Sequence, residues 1–151
     1  MLRLDDLLCF AVYTASRALT RAYGPLLEPL GLTYPQYLTM IVLWEEDGVS
    51  VKRLGQRLAL DSGTLTPLLK RLEQRGLISR ARSDADERVV VVRLTQPGKA
   101  LQAKAKKIPE ELGCRAGFSM DDEKHVAKLV KMRDELHALS RRLGAFDDES
   151  A

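Results

Sequence analysis

Little in this sequence points to metal, membrane or disulfide chemistry. Of 151 residues only two are cysteines, two are histidines and one is tryptophan, and aromatic residues make up 5%. Cys9 and Cys114 lie far apart, which gives neither a disulfide framework nor the close spacing of a metal motif. His125 and His137 have no ligand partners at useful spacing, so no metal and no cofactor is expected. No apolar run approaches the roughly 20 residues that a membrane span needs. The opening residues carry Asp5 and Asp6 where a secretory leader has basic residues, so a cytoplasmic protein without membrane contact is the expectation. Internal repeats and low-complexity segments are absent too. What is present is an ordinary globular composition, 45% hydrophobic and 30% charged, in a chain long enough for one core.

The organising stretch runs from Ser50 to Thr95. Ser50 caps a short helix in which Val51, Leu54 and Leu58 fall on one buried stripe, leaving Lys52, Arg53, Gln56 and Arg57 on the other faces. Asp61 caps a second helix, with Leu65, Leu68, Leu69 and Leu72 on one face and Ser62, Gly63, Thr66, Pro67, Lys70 and Gln74 opposite. Gly76 ends it. Pro67 breaks a local rule, since proline in a regular helix interior costs ~3 kcal/mol. Either the regular helix starts there with Thr66 as its cap, or the turn from Ser62 is irregular. Leu77 to Arg82 and Arg88 to Leu94 read as two strands joined by the polar run from Ser83 to Glu87. Two helices and a hairpin in this order outline a winged helix-turn-helix.

Between residues 50 and 95 there are ten lysines and arginines against five aspartates and glutamates, a net of +5 where the whole chain carries +3. The remainder is therefore net acidic. A basic unit with small hydroxyl residues and a lysine on the outward face of its second helix, and arginines around a hairpin, suits phosphate contact and base-edge reading. Candidate DNA-contacting residues are Ser62, Gly63, Thr64, Thr66, Pro67, Lys70, Arg71 and Gln74 on the helix, with Arg82, Asp86 and Arg88 in the hairpin.

The run LDSGTLTPLLKRLEQRGLISRARSDADERVVVVRLT, with its Asp86-Glu87-Arg88 element and Leu94-Thr95 exit, resembles the core of the MarR family of winged-helix transcription regulators. Likeness to that family extends over nearly the whole chain. It implies a homodimer on a palindromic double-stranded DNA operator, with the helix after Asp61 in the major groove and Arg82 and Arg88 near the adjacent minor groove. The expected fold is mainly α with a small β-hairpin wing. It is a single MarR-type domain over 1–151, with a winged DNA-binding region at 33–94 and helical dimerisation regions at 1–32 and 95–146.

Ahead of the winged unit, Asp5 caps a helix whose apolar positions Leu4, Leu8, Ala11, Ala15, Leu19, Ala22 and Leu26 recur every three or four residues, as far as Gly24-Pro25 or a turn beyond. Thr33 and Gln36 make a capping box for the next helix, which has Pro35 in its first turn and carries Tyr34, Tyr37, Met40, Ile41 and Trp44. Trp44 reads as core. Glu45-Glu46-Asp47-Gly48 ends that helix. After the wing, Thr95 caps a helix with Leu101, Ala105, Ile108 and Leu112 on one stripe, bent or split at Pro109. Gly113 to Gly117 reads as a turn, Ser119 with Asp122 opens the last helix, and Leu129, Met132, Leu136, Leu139 and Leu143 form a heptad seam. The first and last helices are too apolar on one face for a small winged core to cover, which makes them candidates for a dimer interface, the alternative being that they fold back on their own subunit. The stretch from Asp147 to Ala151 is expected to fray.

Cys9 falls in the second turn of the first helix. Free helix amides there favour a thiolate, whereas Asp5 and Asp6 oppose it. Tyr13, Ser16, Thr20 and Tyr23 follow near the same meridian, Tyr34 opens the next helix, and the hydroxyls of Tyr23 and Tyr34 are placed to donate to a thiolate. The opening LDDLLCFAVYTASRALTRAYGPLLEPLGLTYPQYLTMIVLWE is similar to the organic-hydroperoxide-sensing OhrR branch of the MarR family. The resemblance implies that Cys9 is the peroxidatic cysteine, that Tyr23 and Tyr34 are its hydrogen-bonding partners with Tyr13 a pocket neighbour, and that Cys114 resolves the oxidised Cys9. The oxidant implied is an organic or lipid hydroperoxide, and the function a redox-sensing repressor released from its operator on oxidation. Two readings compete: a MarR-like repressor induced by a small aromatic ligand, and a thiol peroxidase. Catalysis has no use for a basic winged unit, so no enzyme is expected.

Overall fold

The structure, a computed structural model, describes residues 3–145; the stretch from Asp147 to Ala151 that is expected to fray lies outside them. Helices carry most of the chain. α1 (Leu8–Leu27) and α2 (Tyr34–Glu45) precede β1 (Val49–Ser50), α3 (Val51–Leu58), α4 (Ser62–Gln74), β2 (Ile78–Arg82) and β3 (Val90–Leu94); α5 (Gln96–Ala105), α6 (Ile108–Arg115) and α7 (Glu123–Arg142) follow. β3 lies between β1 and β2 in an antiparallel sheet, with Val92 opposite both Val49 and Arg80. The sequence pattern does not announce β1, because two residues carry no alternation to read. β3 starts at Val90 rather than Arg88, since the Val89 N–H turns back to the Asp86 carbonyl at 2.9 Å.

Capping side chains set most helix starts. Ser50 Oγ accepts from the Arg53 N–H at 3.1 Å, Asp61 Oδ1 from Thr64 at 2.9 Å and Thr95 Oγ1 from Gly98 at 3.2 Å, while the Thr33 N–H donates to Gln36 Oε1 at 3.0 Å. α4 is helical from Ser62 straight through Pro67, so it neither starts at Thr66 nor has an irregular first turn. The Asp61 cap secures that turn, and the proline forfeits one bond, to the Gly63 carbonyl. Gly76, at φ +68°, ends the helix as expected, and the Leu77 N–H reaches back to the Leu72 carbonyl at 3.1 Å.

Three expectations at the two ends of the chain are corrected. Asp5 does not cap α1: Leu4–Asp6 form a 3-10 turn, Leu7 is the N-cap without a side-chain bond, and Cys9 is the second residue of α1, in its first turn rather than its second. α6 runs on through Gly113 and Cys114 to Arg115, and the chain turns only at Ala116 and Gly117. Pro109 sits in the first turn of α6, where its missing donor is harmless, and splits the long helix after the wing. Asp122 alone caps α7, accepting from the Lys124 N–H at 2.9 Å, whereas the Ser119 N–H donates to His125 Nδ1 at 3.1 Å.

The core forms where α2, α3, α4 and the sheet close over the end of α1, and Leu27, Met40, Leu43, Leu54, Leu69, Leu72 and Val92 are fully buried in it. Trp44 packs on this core and donates through Nε1 to the Gly98 carbonyl at 2.9 Å. Three acids at the end of α2 tie neighbouring elements together. Glu45 pairs with Arg57 at 2.5 Å and Glu46 with Arg53 at 3.7 Å, while Asp47 meets Lys99 at 3.2 Å and accepts from the Leu94 N–H at 2.8 Å. In contrast, Leu8 and Leu19 of α1, Leu136 of α7 and Leu143 just beyond it are 64, 47, 41 and 77% exposed, so much of the apolar stripes of the first and last helices lies uncovered in one chain, although Leu26 at the end of α1 is in the core. Among the described residues no helix is long and apolar enough to cross a membrane.

Candidate nucleic-acid interface and cysteine sites

The N-terminus of α4 is held by a doubly bonded aspartate. Asp61 accepts from both the N–H and the hydroxyl of Thr64, at 2.9 and 3.0 Å, and the Thr64 N–H bond leads the effects that keep its carboxyl below the usual carboxylate range. Burying Leu65, Leu69 and Leu72 turns the opposite face of α4 outward, and Ser62, Gly63, Thr64, Thr66, Pro67, Lys70, Arg71 and Gln74 are all exposed. Arg82, Asp86 and Arg88 are exposed as well, Arg88 to 94% of its side chain. Asp86 shapes the wing tip, since its Oδ1 accepts from the Arg88 N–H at 3.0 Å.

A cleft of about 490 Å³ opens where the start of α3, the middle of α4 and the wing converge, lined by Ser50, Lys52, Thr66, Arg80 and Arg88 among others. It brings Thr66 and Arg88 together but leaves Arg82 outside. It also adds Lys52 and Arg80, which were not among the expected contacts. Both carried a signal: Lys52 follows directly on the Ser50 cap, and the period of two in β2 sets Arg80 on the same face as Arg82. Arg53, Arg57 and Arg80 are paired with Glu46, Glu45 and Glu73, so part of the local charge is already spent.

Cys9 and Cys114 are both exposed and both free. The structure does not bring Tyr23 to Cys9 within one chain. α1 is continuous, and fourteen residues at 1.5 Å each separate the two by ~21 Å along its axis, whatever meridian they share. Tyr13 is occupied locally: Arg17 Nη1 donates to its hydroxyl at 2.8 Å, with the guanidinium carbon 5.5 Å from the ring centre. Tyr23 and Tyr34 instead meet each other, ring centres 4.6 Å apart, and Tyr23 also meets Tyr37 at 5.8 Å. Burial, reinforced by these two phenols, pushes Tyr23 up to about 12, and burial raises Tyr34 too. Beside this stack an apolar groove of about 340 Å³ runs between α1 and α7, lined by Val12, Ala15, Leu19, Tyr34, Met132 and Leu136 among others.

The profile of the family described as transcriptional regulator SarA/Rot matches residues 21–108, from the second half of α1 to the start of α6. The chain belongs to the SarA/Rot and MarR family of winged-helix transcriptional regulators. It is 54% identical over 136 residues to the HTH-type transcriptional regulator TtmR of Methylorubrum extorquens, covering 89% of this chain and 70% of that one. Over 137 residues it is 46% identical to the organic hydroperoxide resistance transcriptional regulator of Bacillus subtilis, covering 90% and 93%. Reduced AbfR bound to DNA shares the fold with a TM-score of 0.78 at 33% identity, covering 93% of this chain and 94% of AbfR, a Staphylococcus epidermidis protein. AbfR with its disulfide formed matches with a TM-score of 0.67, again at 33% identity, covering 93% and 92%. The family expected from the wing and from the first helix is thereby borne out, and this regulator has the winged-helix fold that the family implies.

Proposed function

We propose that this regulator is a redox-responsive repressor: a reduced homodimer holds a palindromic operator, and an organic or lipid hydroperoxide releases it by oxidising Cys9. One observation carries the reading. Cys9 stands exposed in the first turn of an α1 whose apolar stripe is largely uncovered, in a chain 46% identical to an organic hydroperoxide resistance regulator.

The chemistry is a two-step thiol oxidation. The Cys9 thiolate attacks a peroxide oxygen; the S–O bond forms, the O–O bond breaks, and the departing alkoxide takes a proton to become the alcohol. The Cys114 thiolate then attacks the sulfenic sulfur, and hydroxide leaves and is protonated to water as the disulfide forms. A thiol reductant reverses the bond by exchange. Because Tyr23 lies ~21 Å from Cys9 along its own helix, the phenols that reach Cys9 are those of a second copy. The uncovered faces of α1 and α7 pair the copies, with 1–32 and 95–146 as the dimerisation regions and 33–94 as the DNA-binding region. In that arrangement Cys9 of one copy bonds Cys114 of the other, and the pull takes the two recognition helices out of a half-site spacing of ~34 to 36 Å. AbfR has been seen on DNA both reduced and overoxidised and, separately, with its disulfide formed, which supports release through the disulfide rather than through oxidation of the first cysteine alone.

A gel shift on operator DNA tests the reading. Binding is lost with an organic hydroperoxide and restored by dithiothreitol; binding that survives the hydroperoxide overturns it. A cleft of about 240 Å³ between α2 and α5–α6, walled by Tyr37, Ile41, Trp44 and Pro109 with Lys106 beside them, favours a second reading, release by a small aromatic acid. Release that resists dithiothreitol and needs no cysteine distinguishes it.

A further inference from the structure

We infer that Glu73 is a positioning residue for the wing, setting where the hairpin stands relative to α4 and hence how Arg88 reaches DNA. The inference rests on the winged unit being the DNA-binding face. Glu73 lies in the last turn of α4, and Arg80 is the middle residue of β2. In the β2–β3 ladder the Thr95 N–H bonds the Leu77 carbonyl and the Ser83 N–H bonds the Val89 carbonyl. By the antiparallel alternation, the Arg80 N–H, opposite Val92, then points away from β3. β2 is an edge strand, whose outward amides are otherwise left to water.

Glu73 takes that amide. Its Oε1 accepts from the Arg80 N–H at 3.0 Å, and its Oε2 accepts from Arg80 Nε at 3.1 Å and Nη2 at 2.7 Å. One carboxylate thus grips the backbone and the guanidinium of a single residue at three points, which fixes the rotation of the strand as well as its distance. Arg80 lines the cleft that holds Lys52, Thr66 and Arg88, whereas Glu73 does not line it. Its action on DNA therefore runs through Arg80 and the strand.

Charge alone gives the opposite sign. Removing a carboxylate from a basic face, and freeing Arg80, makes the unit more positive and tightens phosphate binding. Positioning makes binding weaker in spite of the gained charge.

The test titrates a duplex, selected from a random pool by the wild-type protein, with wild type, Glu73→Gln, Glu73→Ala, Arg88→Ala and the double variants at several salt concentrations, with thermal unfolding to show that each is folded. Both Glu73 variants are expected to bind about threefold to tenfold more weakly and with a shallower salt dependence, and Arg88→Ala to cost less in the Glu73→Ala background than alone. Losses that simply multiply, or a Glu73 variant that binds as tightly as wild type, overturn the inference and leave the DNA-binding face intact. Failure of Arg88→Ala to weaken binding overturns the role of the wing, and this inference with it. Should Glu73→Ala not fold, Glu73→Gln keeps the shape and one acceptor and carries the same cycle.

Discussion

The rings of Tyr23 and Tyr34 stand 4.6 Å apart, tilted by 32°, where α1 and α2 meet. With burial pushing Tyr23 up to about 12, its hydroxyl keeps its proton throughout the neutral range and stays a hydrogen-bond donor. Tyr23→Phe and Tyr34→Phe preserve the stack and delete the donors. Each is expected to slow oxidation of Cys9 by an organic hydroperoxide roughly fivefold, for the ~1 kcal/mol of a neutral hydrogen bond. Stopped-flow measurement of thiol loss checks this, and unchanged rates in both variants would reduce the two tyrosines to packing.

Cys9→Ser is expected to stay on its operator in hydroperoxide. Cys114→Ser reacts at Cys9 but cannot form the reversible bond, and proceeds to sulfinic and sulfonic acids that dithiothreitol does not rescue. Non-reducing electrophoresis of oxidised wild type should show a covalent dimer that either substitution abolishes. A monomeric band that has nonetheless lost operator binding rules out the intersubunit disulfide.

Leu19 and Leu136 face the groove between α1 and α7 and are 47 and 41% exposed in one chain, so an aspartate at either position leaves the winged core untouched. Leu19→Asp with Leu136→Asp is expected to yield a folded monomer with little operator affinity. Sedimentation equilibrium decides, and a dimer of wild-type strength would remove these faces from the interface.

For Lys52, placed in the cleft with Thr66 and Arg88, replacement by alanine should lower operator affinity and flatten the logarithmic salt dependence by about one unit, as loss of one phosphate contact does. Arg88→Ala should do the same. An unaltered slope for Lys52→Ala would show that the cleft takes no phosphate.

Two carboxylates carry a pH signature. Hydrogen bonds from Thr64 to Asp61 and from the Arg80 side chain to Glu73 hold both groups below their ordinary values. A lowered folded-state value means that the stabilisation is fully present above the unfolded value, near pH 4, and is lost as pH falls through the folded one. Melting temperature should therefore fall below roughly pH 4, and less steeply in Asp61→Asn. An identical acid limb in wild type and Asp61→Asn would mean that the cap carries no linkage.

Helix starts were legible because Ser50, Asp61 and Thr95 cap their helices with their own oxygens, and such residues mark a boundary on any backbone. The start of α1 was not, because Leu7 has no capping atom, and Asp5 imitates a cap while belonging to a 3-10 turn. The outward face of α4 followed from leucine spacing alone. Arg80 and Lys52 did not, since whether a cation faces phosphate depends on how the wing folds back onto α3 and α4, which is a tertiary relationship. The cysteine site was the least legible part. Meridian arithmetic aligns Cys9 with Tyr23 but is blind to the ~21 Å of helix between them, so the reading needs a second chain that spacing within one chain cannot reveal.

α2 links two regions that are otherwise remote from each other. Tyr34 is its first residue, and at its other end Glu45, with Glu46 and Asp47 just beyond it, holds Arg57 and Arg53 of α3, Lys99 of α5 and the Leu94 amide of β3. A twelve-residue helix is a stiff lever about 18 Å long. Under the proposed release, a displacement at the phenol end would reach α3, β3 and α5 together through these contacts, without any loop having to melt or close.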